Sequence, residues 1–340
     1  MDAYTQPLDW SRVSQLAVDP MSFLQIPSLD HADAPPLQLL TPPCSAVSPI
    51  PSPPTPTVTD GDTIVPVSTT FFPGANIIAS PPDIILLSSD SVFFYVHSSV
   101  LLGASYNGFK GLVSSSQNRN CGPTEPVMPV AEHSSVLNII LHSIYDMSCS
   151  HYAPSFESLS SAAAAFPKYG LSAKKLVAQS TPLYNLLVSH APLYPLEVYA
   201  LAAKHDILDL AIPTSSHLLS FPLASISDDM AENIGPRYLK RLFFLHLGRL
   251  DALRRLLVPP PHPHAQTETC SFEDQKRVTS AWALASSYLA WDARPDLSTS
   301  TMQSALGPLE NQLSCNLCRV ALREKLNHIT VQWSIIKRTI

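Results

Sequence analysis

Residues 83–109 read DIILLSSDSVFFYVHSSVLLGASYNGF, and this stretch decides the fold. Two short β-branched and aromatic runs, residues 84–87 and 92–96, flank the polar turn SSDS, the pattern of a β-hairpin. Both faces of each strand are apolar, so the sheet is expected to be covered on both sides. Leu101, Ser105, Phe109 and Leu112 then fall three or four apart, which is helical spacing. His97 closes the second strand, and the default reading of a histidine there is a buried, hydrogen-bonded side chain.

Working outward, the N-terminal side is of another kind. Residues 35–82 hold thirteen prolines and only two charged side chains, Asp60 and Asp62. Proline fixes φ and removes an N–H donor, so this segment forms neither helix nor central strand. It reads as an extended tail rich in polyproline II, first a spacer. A regulatory reading stands beside it, because Thr41, Ser48, Ser52 and Thr55 each precede proline. Packed structure is expected from residues 81–83 onward.

On the C-terminal side, a polar loop precedes VMPV (127–130), a third short strand, and a helix capped by Ser134. Val136, Leu137, Ile140, Leu141 and Ile144 give that helix one continuous apolar face. From about residue 155 the pattern is wholly helical. Gly170 closes one helix, AKKLVAQSTPLYNLLVSH and PLEVYALAAKHDILDLA read as further helices, and Pro236 and Pro259 bracket another. FEDQKRVTSAWALASSYLAW is a helix, and the last one carries Leu322, Leu326, Ile329, Trp333 and Ile336 as a packing seam.

Composition excludes several function classes. The 340 residues are 45% hydrophobic and only 14% charged, with net charge −6. That balance offers no footprint for nucleic acid or for an anionic membrane surface. No secretory leader is read at the N-terminus. The most apolar runs, residues 218–226 and 242–250, are interrupted by Pro222 and by His246 and Arg249, so no membrane span is expected. The protein reads as soluble and intracellular, in cytoplasm or nucleus, with its six cysteines reduced.

Chemistry is hard to place. GASYNG departs from the nucleophile elbow G-x-S-x-G, since Asn107 stands at the second glycine and Ser105 lies inside the helical pattern. No phosphate-cradling glycine loop follows a strand, and ten glycines leave little room for one. We therefore assign no catalytic and no cofactor-binding residue. Cys315 and Cys318 form half of a tetrahedral zinc site, with Cys270, His262 and His264 upstream. The spacing of that upstream half is not standard, and the pair also continues the apolar face of the last helix. Buried thiols are the first reading, a zinc or redox pair the second. Arg237, Lys240, Arg241, Arg249, Arg254 and Arg255 read as the solvated face of a helix whose buried face includes Leu242, His246 and Leu253.

The order of these elements resembles the BTB/POZ family. Asp83-Ile84-Ile85-Leu86 matches its Asp before an apolar strand, and FFYVH matches its second strand ending in His97. Leu101, Leu102, Ser105, Tyr106 and Phe109 match the following helix, MPVAEHSSVLNIILHSIY the later strand and helix ending at Tyr145, and FPKYGL the final helix end. The helices beyond resemble the extension of fungal BTB proteins. The resemblance implies an α/β (α+β) domain with a small mixed sheet over residues 79–172, before an all-helical domain (173–340), and the Pro/Ser/Thr-rich composition ahead of it reads as a disordered tail (1–78). The resemblance also implies a non-enzymatic protein-interaction module with protein partners, a homodimer, and a cullin scaffold for which the chain is a substrate adaptor. A transcriptional co-regulator, or a BTB protein without self-association, is the alternative. Asp83, His97, Tyr106 and Phe109 are the candidate interaction surface. In the family, the Asp and a basic residue after the His build a charged pocket at the dimer interface. Here Ser98-Ser99 follow His97, and Asp90-Ser91 replace the usual glycine of the turn.

Overall fold

The computed structural model describes residues 66–113 and 127–340. The proposed phosphoacceptors, Cys44 and Cys121 lie outside the described residues. Packing starts earlier than residue 81: Val67 bridges Phe93, the Tyr95 N–H donates to the Phe71 carbonyl at 2.9 Å, and the Phe71 ring is fully buried.

The hairpin forms as its sequence dictates. Strand β1 (Ile84–Leu87) pairs antiparallel with β2 (Phe93–Val96), Ile84 facing Val96 and Leu87 facing Phe93. Strand β3 (Val127–Pro129) adds parallel to the other edge of β1, giving the order β2-β1-β3. A parallel neighbour needs a crossover, and helix α1 (Ser98–Ala104) lies in it.

Helix α2 (Ser134–Ile144) follows β3. Its cap differs from expectation: His133 is the N-cap, its ring nitrogen accepting from Ser135 N, and Ser134 is the first helical residue. The helix is buried beyond one face, since Ile139 and His142 are covered as well as Leu137, Ile140 and Leu141. Helix α3 (Phe156–Ala165) ends through a short 3-10 turn at Gly170, whose φ of 66° suits glycine; a Cβ there would meet the Asn107 side chain at 2.4 Å.

AKKLVAQSTPLYNLLVSH is two helices, α4 (Ala173–Leu176) and α5 (Pro182–His190), rather than one. Pro182 disfavours helical backbone at Thr181, whose side chain accepts from Tyr184 N and caps α5. PLEVYALAAKHDILDLA likewise divides into α6 (Pro195–Lys204) and α7 (Leu208–Ser215), with Asp206 at a φ of 52° between them. The long helix α8 (Asp228–Leu257) is broken at Gly235, φ 73°, where Pro236 starts its second limb. Helices α9 (Phe272–Trp291), α10 (Thr299–Leu306) and α11 (Asn316–Ile335) complete the chain.

The apolar core does not divide at residue 172. One cluster runs continuously from Phe71 to Leu242. A second, much smaller one joins Leu253, Leu257, Trp282, Leu289, Met302, Leu306, Leu322, Ile329 and Trp333. Helix α8 contributes to both, and the described residues belong to one compact unit. Mostly helical with a small mixed sheet, the architecture is of the α+β kind.

Arg249 is the main departure within the helical half. It is buried rather than solvated. Its guanidinium donates to the carbonyls of Pro295, Ile336 and Lys337 and lies 4.2 Å from the Trp333 ring centroid. The spacing Leu242, His246, Arg249, Leu253 places it on the helix's inward stripe, where the carbonyls at the end of α11 need donors.

Candidate functional site

Asp83 and Asp90 stand before β1 and in the β1–β2 turn, and each caps a helix. Asp83 accepts from Ser98 N at 2.7 Å and Ser98 Oγ at 2.5 Å. Asp90 accepts from Ser134 N at 2.8 Å and Ser134 Oγ at 2.6 Å. The non-glycine turn thus has a reason: its Asp side chain fastens α2 to the sheet, while Ser91 takes the positive φ of 66°. Burial works to raise the Asp90 carboxyl, but hydrogen bonds from Ser134 and Ser88 outweigh it and hold it at about 2.

His97 is not a surface residue, which corrects its placement among the interaction candidates. It is 2% exposed. Its Nδ1 lies 2.8 Å from the Tyr145 hydroxyl and its Nε2 3.0 Å from the Ser80 carbonyl. The Tyr145 hydroxyl also accepts from His97 N at 2.9 Å, and burial pushes it up to about 12. Phe109 is likewise corrected: it is fully buried, stacked on Tyr169 with centroids 4.4 Å apart. Neither ring can reach a partner while the core is closed.

Ser105 is committed to structure. Its hydroxyl donates to the Tyr169 carbonyl at 2.6 Å and accepts from Phe109 N at 2.8 Å. Glu132 receives the Lys168 ammonium and the Tyr169 hydroxyl. Burial opposes ionisation of Glu132, yet these donors keep its carboxyl below the ordinary range. Residues from four separated motifs therefore meet in two largely covered polar knots, His97 with Tyr145, and Ser105 and Glu132 with the Lys168–Tyr169 turn.

Several large apolar side chains are left outside. Tyr106 is 80% exposed. Leu284, Tyr288 and Trp291 lie four and three apart on α9, one helical stripe pointing to solvent, and Trp291 is 93% exposed. Phe243, Phe244 and Leu247 are exposed on α8. The α9 stripe was legible as spacing but hidden inside a segment read as a helix and no more.

Four residues meet as potential metal ligands, although sequence spacing put the thiols down first as core. His264, Cys270, Cys315 and Cys318 present ligand atoms that all lie within 4.8 Å of one another. His262 is exposed and is not one of the four, although it lines a small hollow together with Cys318. Cys315 is the N-cap of α11 and only Cys318 continues its buried face, so the pair is not simply the helix's apolar stripe.

Among the described residues no helix is long and apolar enough to cross a membrane. Protein-family models, curated proteins and solved structures were all compared with the chain, and none matches.

Proposed function

We propose that this chain is a non-enzymatic protein-interaction module of BTB/POZ type, acting as a scaffold or substrate adaptor for a cullin-type ubiquitin ligase. The observation that carries the interaction reading is the exposed apolar surface: Tyr106 beside the sheet domain, and the Leu284-Tyr288-Trp291 stripe on α9. Large aromatic side chains held in water are costly to solvate and are the residues that dominate protein interfaces. The BTB/POZ character is supported by the sheet order β2-β1-β3 and by the two polar knots that join the resembling motifs. Ser105, the residue nearest in pattern to a nucleophile, spends its hydroxyl on the Tyr169 carbonyl.

The customary self-pairing of the family is altered here. The carboxylate of Asp83 is met by the backbone and hydroxyl of Ser98 instead of by a cation after the histidine. Light scattering of the full chain tests this point. A dimer supports family-style pairing; a strict monomer assigns the chain to the form without self-association. Binding of a cullin N-terminal domain tests the adaptor role, and none at micromolar concentration would sink it.

A further inference from the structure

We propose that His264, Cys270, Cys315 and Cys318 bind one zinc ion in a closed, structural Cys3His site that fastens the α8–α9 loop to the start of α11.

The distances approach the edges of a tetrahedron of zinc ligands. Zinc–sulfur bonds of about 2.3 Å and zinc–nitrogen bonds of about 2.0 Å imply edges of about 3.8 Å between sulfurs and about 3.5 Å between sulfur and nitrogen. Cys270 Sγ and Cys318 Sγ are 3.7 Å apart. His264 Nε2 lies 3.2 Å from Cys318 Sγ and 3.4 Å from Cys315 Sγ. The other pairs fall within 4.8 Å, so small side-chain rotations complete the figure.

The histidine is oriented from outside. Its Nδ1 lies 2.7 Å from the Ala265 carbonyl, which can only accept. That bond places the proton on Nδ1 and leaves the Nε2 lone pair facing the sulfurs, the arrangement that sets the tautomer of metal-bound histidines. A tight bridge between Thr267 and Cys270 turns the loop so that its thiol meets those of α11.

Three soft thiolates and one imidazole select zinc over the hard cations, which prefer oxygen, and over copper(II) or nickel(II), which prefer tetragonal sites. With four protein donors no coordination position stays open, so the site is structural rather than catalytic. Binding transfers three thiol protons to solvent and leaves one net negative charge at the site. Arg277 lines the hollow beside all three cysteines together with Asp274, with which it pairs at 3.7 Å, so the local field there is mixed. The benefit is local. The second core is small, and small cores are commonly held by a metal or a disulfide.

The test uses the full chain, expressed with zinc in the medium and purified under reducing conditions. The expected metal content is about one zinc per chain. Cobalt(II) should replace it and show the visible bands of a tetrahedral site with thiolate charge transfer. Cys315→Ser and Cys318→Ser should each weaken zinc affinity at least about tenfold in a competition titration with a chelator. His264→Cys should retain metal while shifting the cobalt spectrum, and Cys149→Ala, in the other core, should change nothing. A wild-type chain that takes up neither zinc nor cobalt overturns the proposal. That holds whether denaturing titration finds free thiols or a Cys270–Cys318 disulfide. Metal that stays bound unchanged in both serine variants overturns it equally. The cobalt spectrum of the wild type decides if the variants fail to fold.

Discussion

Asp90 is a turn residue whose carboxylate does the work of a helix cap 44 residues away. Its folded value of about 2 lies below the ordinary 3.8, so its contribution is complete above about pH 5. It is lost as pH falls through about 4 to 2. Allowing for solvent screening of an exposed carboxylate, the contribution is about 1 kcal/mol. Urea unfolding as a function of pH should show Asp90→Asn flattening that acid limb, and an unchanged limb would refute the assignment. Glu132 is more deeply placed. Glu132→Ala leaves the buried Tyr169 hydroxyl without its acceptor while the partly exposed Lys168 ammonium turns to water, and should cost about 1–3 kcal/mol in the same measurement. At this scale the sequence was partly legible. A buried, hydrogen-bonded His97 follows from its place at the end of an apolar strand, whereas the partner of each acid depends on a tertiary contact that no local pattern encodes.

Among the elements, the hairpin, β3 and the last helix could be read directly, because short β-branched and aromatic runs around a polar turn and the 4-3-4-3 spacing of Leu322, Leu326, Ile329, Trp333 and Ile336 are strong local signals. The joints were harder. Thr181-Pro182 and Asp206 divide helices that apolar spacing alone runs together, since periodicity reports faces and not breaks. Arg249 shows the converse. Charge marked it for solvent, yet its position four-three-four among Leu242, His246 and Leu253 put it inside. Burial draws its guanidinium down to about 10 while three carbonyls hold it. Arg249→Ala should destabilise by about 3 kcal/mol, because it empties a buried volume and leaves the carbonyls closing α11 without donors. Arg249→Lys should recover only part of this, a single ammonium being unable to span them. Thermal unfolding of the two variants measures the difference; equal stability to wild type would mean that α8 does not hold α11 through this side chain.

For the whole molecule, the two cores predict unequal responses to metal removal. Chelation under reducing conditions should loosen α9 to α11, seen as faster amide exchange around Trp282 and Trp333, while β1 to β3 stay protected. Uniform exchange across both cores would place the staple elsewhere. The cluster was legible in the sequence only as the second reading of its cysteines, because Cys270 and Cys318 stand 48 residues apart and no local spacing shows that they meet. The interaction reading concerns the outer surface, and there the decisive measurement is direct binding of the full chain to an immobilised cullin N-terminal domain. Micromolar or tighter binding is expected, weakened at least about tenfold by Tyr106→Asp or by Trp291→Asp with folding intact. Absence of binding at tens of micromolar protein, or binding indifferent to both substitutions, would contradict the account.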